Sequence, residues 1–481
     1  MHLKQQSMSG AIWTLIDMFI NKGAYFLTTI ILAGIIGPEK FGLIGMITLF
    51  VTIGNTLIDS GMSTSLLRTK EITNQDYSTV FITNVLISII VYAIIFFIAP
   101  LIADFYNQPI LVSVIRVYCI GFLINSLRSI HNVKLIRELQ FKRLTILSLP
   151  GNIISVIISI YLGKIGYGVW SIVGLFLINQ FVSTIVFWIF IKWVPIWKFN
   201  LINFKHHFSF GYKLVLSAQL NTIFENINNI LIGKYYDVKF LGYYDRAYTL
   251  NNYPVAVLSG IIMKVSLPAL TIIKDEKERL QNAYKIIMQI AFFISAVGLG
   301  FAAILASPII KILLGKEWLY IIPIFQILAI SFVFYPLHSL NINILSLFGR
   351  SDLFLKLEII KKITAVILII IGFKFGIYGL VWSNVIGSVL ALIINTYYSG
   401  QFLNYSTSNQ ILDLIPTIIV VAFSLIVLYI FGIIINFSNP FFQIITCLPI
   451  GLFIVLLMSS LIKLSPYIQL KSLIKEYLLN D

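Results

Sequence analysis

The groups with chemical potential in this chain are polar side chains embedded in apolar runs. Between Ser209 and Leu270, Asn221, Glu225, Asn228 and Asn229 fall at i, i+4, i+7 and i+8, one stripe on one face of a helix. Leu, Ile, Val and Phe surround that stripe in sufficient number to cross a bilayer. A carboxylate and three amides at mid-membrane depth are costly unless they line a wet cavity or a bundle interior, so the stripe reads as a cavity wall. Lys22 presents the same problem with the opposite sign. It lies roughly eleven residues into the first apolar run, near mid-bilayer at about 1.5 Å per residue, where a cation costs on the order of 2.5–3.5 kcal/mol. A lysine reaches the interface poorly from that depth, which makes Lys22 a candidate cationic cavity residue.

Other charges are less demanding. Asp17 precedes Lys22 by five positions, about 140° around a helix, and shares a face with Asn21 instead. Asp59, in DSGMSTSLLR, has two readings: a partner for Lys22 across helices, or a helix-end cap. Lys264, in SGIIMKVSLPAL, sits about two turns from a helix end, where snorkelling and cavity lining are both open. Arg116, Arg128 and Lys213 lie near helix ends and read as interfacial. Cys119 and Cys447 lie in apolar runs, where thiols behave as small hydrophobes. Neither a disulfide framework nor a Cys/His metal spacing is present, so no metal site is expected.

The elements that hold these groups follow from composition. The chain is 59% hydrophobic and 11% charged, with a mean hydropathy of +0.95. A soluble domain carries about twice that charged fraction. The expected fold class is an all-α polytopic membrane protein of about fourteen transmembrane helices, each near the ~20 residues that span a bilayer. The N-terminus enters its first apolar run without a small-residue cleavage site, so that helix is expected to be retained. The net charge of +15 is spread over short clusters between alternate runs, among them Arg68 with Lys70, Lys134 to Arg143, and Lys274 to Arg279. That is a positive-inside pattern facing an anionic leaflet; it puts both termini in the cytoplasm and argues against nucleic acid as a partner. The opposite loops are short and hold no His/Glu or Ser/His set, which argues against a membrane-embedded polymerase, ligase or acyltransferase.

The chain also repeats itself. KIGYGVWS (Lys164–Ser171) returns as KFGIYGLVWS (Lys374–Ser383), LRSI at Leu127 returns as LHSL at Leu337, and ILAG at Ile31 returns as ILIG at Ile230. An offset of about 200–210 residues common to all three implies two six-helix lobes of like orientation. They are related by a pseudo-two-fold axis along the membrane normal, with a cavity between them. The expected organisation is a first lobe at 1–193, a cytoplasmic linker at 194–208, a second lobe at 209–400, two extra helices at 401–463 and a cytoplasmic tail at 464–481. The linker, VPIWKFNLINFKHHF, mixes aromatic and basic residues, and its His206 and His207 read as solvated.

Several longer stretches carry a family resemblance. They are SGAIWTLIDMFINKGAYFLTTIILAGIIGPEKFGLIGM and LIDSGMSTSLLRTKEITNQDYSTVFITN, then LQFKRLTIL and GYGVWSIV, then ILIGKYYDVKFLGYYDRAYTL and FGRSDLFLKLE. In these the chain resembles the Wzx-type polysaccharide flippases of the multidrug/oligosaccharidyl-lipid/polysaccharide exporter superfamily, in the colanic-acid-exporter branch. The resemblance covers most of residues 9–400. It implies an inner-membrane flippase, not an enzyme, that moves an undecaprenyl-diphosphate-linked oligosaccharide outward by alternating access, beside polysaccharide polymerase or assembly proteins. Lys22 and Lys264 fall on the two helices where related lipid-linked precursor flippases place cations for the diphosphate. Asn21, Asn221, Asn228 and Asn229 then become candidates for hydrogen bonding to sugar or phosphate. Glu225, Asp59 and Asp17 become candidates for coupling to H⁺ or Na⁺, with no organic cofactor. The family often carries Asp where this chain has Asn228, so the carboxylate of Glu225 stands one turn earlier on the same face. A drug/cation antiporter of the same superfamily is the alternative; it predicts an acidic cavity, against which Lys22 argues.

Overall fold

The structure is a computed structural model, and it describes residues 10, 13–14 and 16–479. Every regular element among the described residues is helical. In chain order they are α1 (Met18–Asp59), then α2 (Met62–Arg68), α3 (Asn74–Tyr106), α4 (Ile110–Tyr118), α5 (Ile120–Arg137), α6 (Phe141–Lys164), α7 (Val169–Phe190), α8 (Leu201–Tyr235) and α9 (Val238–Ile272). They continue as α10 (Lys277–Ile304), α11 (Ala306–Leu313), α12 (Ile322–Val333), α13 (Tyr335–Leu347), α14 (Ser351–Phe373), α15 (Gly376–Leu403), α16 (Thr407–Ile435), α17 (Pro440–Leu461) and α18 (Ser465–Leu479).

Eleven of the described helical segments are long and apolar enough to cross a membrane. The first is two helices meeting at Gly37, whose φ of 77° and the Pro38 after it break the hydrogen-bond ladder. Counting it twice, and adding the more polar α8 and α14, gives the fourteen spans expected. Several spans are interrupted: α1 and α2 part at Ser60–Gly61, α4 and α5 at Cys119, and α12 and α13 at Phe334, while α10 gives way to the separate short α11.

Contacts divide the chain into two compact units, the first ending at Asp245 and the second beginning at Arg246. The first unit packs α1 on α3, α6 and α7, and joins α6 to α7 as a hairpin. It also contains α8, which lies on α1, α2 and α3. The division therefore falls after Asp245 and not within 194–208. The reason is local: Asn200 caps α8 by accepting from the amides of Ile202 and Asn203, so the helix begins inside the segment read as a linker. His207, expected to be solvated, is fully buried on that helix.

The second unit packs α10 against α12, α13, α16 and the tail helix α18. The α14–α15 hairpin packs through α15 on α12 and α13. The Lys164 and Lys374 echoes mark the same device in each unit. A glycine with positive φ (Gly168 at 55°, Gly376 at 74°) stands at the start of the second helix of a hairpin. In both, the serine of the shared Trp-Ser pair bonds back to its own backbone, Ser171 to Gly168 O and Ser383 to Gly379 O.

Candidate functional site

In the first unit the start of α1 is one π-helical turn, Met18–Lys22. Asn21 is 8% exposed there. Its Nδ2 donates to Asp17 Oδ1 at 2.6 Å and to the carbonyl of Thr145 at 3.4 Å. Its Oδ1 accepts from Asn152 Nδ2 at 2.6 Å. Asn152 Oδ1 in turn accepts from Asn179 Nδ2. The result is a directed chain across α1, α6 and α7. Asp17 and Asn21 do share a face, as expected, but the amide of Asn21 is fully engaged within the unit.

Lys22 is exposed, as are Phe19 and Ile20 on the same turn. Asp59 ends α1, before Ser60 and Gly61 turn the chain through left-handed conformations, and it accepts a hydrogen bond from Ser63. Of its two readings, the helix-end position is the one observed. Arg128, expected at the interface, is instead half-buried between α5 and α7. Its Nη2 donates to Gln180 Oε1 at 2.9 Å, and its guanidinium lies 5.5 Å from the Phe187 ring centre. Arg116 keeps an end-of-helix role, stacked 4.0 Å over Phe96.

The stripe on α8 is graded. Glu225 is exposed, Asn221 and Asn229 are half-buried, and Asn228 is buried with its Nδ2 on the Tyr244 hydroxyl at 3.1 Å. Nearer the start of α8, the helix is pinned by residues that pattern alone did not select. His207 Nδ1 lies 2.8 Å from Ser65 Oγ, and its Nε2 lies 3.3 Å from Asp76 Oδ1. Phe210 faces the Arg68 guanidinium at 5.0 Å, and Gln219 Nε2 donates to the Ile53 carbonyl at 3.1 Å.

In the second unit Lys264 is exposed on α9. A cavity of about 300 Å³ lies among α9, α12, α13, α14 and α15, lined by His338, Lys361, Asn384 and Ser388 among others. Lys361 pairs with Glu358 one turn away. His338 Nδ1 accepts from Asn395 Nδ2 at 3.4 Å, which makes Nε2 the protonated nitrogen facing Ser388 Oγ at 3.0 Å. Ser388 Oγ passes its own proton to the Ser331 carbonyl at 3.0 Å. The sequence marked this region only through the LHSL echo. No group of three or more potential metal-binding side chains occurs among the described residues.

With that geometry in hand, comparison with known proteins assigns the chain. A family described as polysaccharide biosynthesis protein matches residues 31–323. The chain belongs to that family. The lipopolysaccharide biosynthesis protein WzxC of Escherichia coli K12 is 25% identical over 406 residues, 83% of this chain and 81% of WzxC. The teichuronic acid biosynthesis protein TuaB of Bacillus subtilis 168 is 24% identical over 359 residues, 73% of each chain. Among solved structures, the lipid II flippase MurJ in an inward closed conformation superposes with a TM-score of 0.74 at 16% identity, over 95% of this chain and 98% of MurJ. An inward-facing multidrug resistance MATE transporter of the MOP superfamily superposes at 0.62 and 17% identity, over 82% of this chain and 99% of that one. The fold is thus the one shared by these MOP-superfamily structures, and this member of the polysaccharide biosynthesis family is a multi-pass membrane protein.

Proposed function

We propose that the protein carries an undecaprenyl-diphosphate-linked oligosaccharide repeat unit from the inner to the outer leaflet of a bacterial cytoplasmic membrane, by alternating access and coupled to H⁺ or Na⁺. The observation that carries the reading is the family membership, whose relatives are named for making lipopolysaccharide, teichuronic acid and succinoglycan, the last as a transport protein. The MurJ-like fold supports it, because MurJ is itself named a lipid II flippase. On this reading Lys22 and Lys264, both exposed, hold the diphosphate as point charges. Glu225 is the coupling carboxylate, being the one acidic group on the α8 stripe of Asn221, Asn228 and Asn229. Asn221 and Asn229 supply hydrogen bonds, both termini face the cytoplasm, and polymerase or assembly proteins receive the product. An antiporter of drugs or cations shares the fold, but it is disfavoured by an exposed lysine at Lys22.

Deletion of the gene, followed by analysis of lipid-linked intermediates, tests the reading. The expected result is accumulation of an oligosaccharide lipid that a membrane-impermeant enzyme reaches only from the cytoplasmic side. Normal levels and normal sidedness of that lipid overturn it.

A further inference from the structure

The first unit contains a second feature that the diphosphate reading does not use. A cavity of about 370 Å³ opens among α1, α4 and α7, within the range of small-ligand sites. None of its lining residues carries a charge. Thr48, Thr52 and Asn55 form one wall at i, i+4 and i+7 along α1, and Asn179 and Gln180 form another. Tyr118 and Phe176, stacked with ring centres 4.3 Å apart, form an aromatic wall. Hydroxyls, amides and flat rings without charge suit a neutral polyhydroxylated ligand, whose hydroxyls exchange hydrogen bonds and whose C–H face packs on aromatic carbon.

The amides are also held in defined orientations. An ionised carboxylate only accepts, so Asp17 turns the amide of Asn21 toward itself with nitrogen first. The direction then passes through Asn152 to Asn179, whose nitrogen is used and whose Oδ1 is left as the acceptor. A guanidinium only donates, so Arg128 takes Gln180 Oε1 and leaves the Gln180 amide nitrogen as the donor. Neighbouring residues on α7 thus present one acceptor and one donor. Thr48 and Thr52 direct their protons to carbonyls on their own helix at 2.9 and 2.8 Å, which leaves their oxygens as acceptors.

We propose that this cavity is a carbohydrate subsite that receives a sugar ring of the transported glycan, with Asn179 and Gln180 as binding residues and Asp17 and Arg128 as the positioning residues that orient them. The inference rests on the transport reading above, and it gives Asp17 a role other than ion coupling.

The test uses purified full-length protein in nanodiscs and two lipids: undecaprenyl diphosphate carrying no sugar, and the oligosaccharide lipid extracted from cells lacking the gene. Asn179→Leu and Gln180→Leu are expected to weaken binding of the oligosaccharide lipid by about tenfold each, the worth of a lost hydrogen bond, and to leave the sugar-free lipid unchanged. Asp17→Asn, which keeps the size but frees the amide chain to run either way, is expected to cost about threefold on the oligosaccharide lipid alone. Thr52→Val, a mild change, should follow the same pattern. Unchanged affinity for the oligosaccharide lipid in the α7 variants, or equal losses for both lipids in every variant, overturns the subsite. If cells lacking the gene accumulate no oligosaccharide lipid, the transport reading itself falls; accumulation with unaltered binding removes the subsite alone.

Discussion

At the scale of single residues, the charges that pattern selected and those that packing selected divide cleanly. Lys22 and Glu225 stand out in the sequence because an apolar run makes them expensive, and both side chains are exposed in the structure. Lys22→Gln is expected to lower export of the cell-surface polysaccharide at least tenfold, with partial recovery in Lys22→Arg, measured as polymer per cell at equal membrane abundance. Glu225→Gln should abolish the dependence of export on the ion gradient, and Asn228→Asp should restore part of it by returning a carboxylate to the same face. Unchanged export in Glu225→Gln removes the coupling assignment. The subsite residues were less visible. Thr48, Thr52 and Asn55 show the same i, i+4, i+7 spacing as the α8 stripe, but threonines in a membrane helix satisfy their hydroxyls on the previous turn and raise no alarm. Asn179 and Gln180 sit in LFLINQFV as an isolated pair without periodicity, and only the facing helices α6 and α5 show what orients them.

At the scale of elements, the informative discrepancy is α8. Its hydrophobic period is clear from Ser209 onward, yet the helix begins eight residues earlier, at Leu201. Three small or polar positions explain why its first turns join the first unit. A Cβ on Gly211 would meet the Ser60 carbonyl oxygen at 2.2 Å, and one on Gly61 would meet the Gly211 oxygen at 2.5 Å. The α1–α2 corner and α8 therefore touch backbone to backbone. Gly211→Ala is expected to destabilise the purified protein by about 1–3 kcal/mol through overpacking. Gly298→Ala, where nothing lies within 4 Å, should be neutral or slightly stabilising; matching unfolding midpoints for the two would contradict the seam. His207 adds a second tie, since its ring bridges Ser65 and Asp76 from α8. His207→Ala should cost about 1–3 kcal/mol, read as a lowered unfolding midpoint.

At the scale of the whole molecule, composition and the lengths of the apolar runs were enough for the class and the number of spans, because the bilayer allows so few backbone solutions. Membrane orientation is the part still carried by charge placement alone, and it has a direct test. The native thiols Cys119 and Cys447 are each only 1% exposed, so a cysteine introduced at an exposed loop position reports without first removing them. Glu71 lies after α2, beside Arg68 and Lys70, and Lys316 is an exposed residue opening the 3₁₀ turn Lys316–Ile321 after α11, in a connection of the other parity. The positive-inside rule puts the first in the cytoplasm and the second outside. An impermeant maleimide applied to intact cells should label Lys316→Cys and not Glu71→Cys, while permeabilised cells should label both. An odd number of spans separates the two positions, so labelling of both, or of neither, in intact cells contradicts the span count. Labelling of Glu71→Cys alone inverts the protein and puts the loops nearest Lys22 and Lys264 in exchanged compartments. The proposed direction of transport then fails with it, since a diphosphate made in the cytoplasm needs its cations within reach from that side.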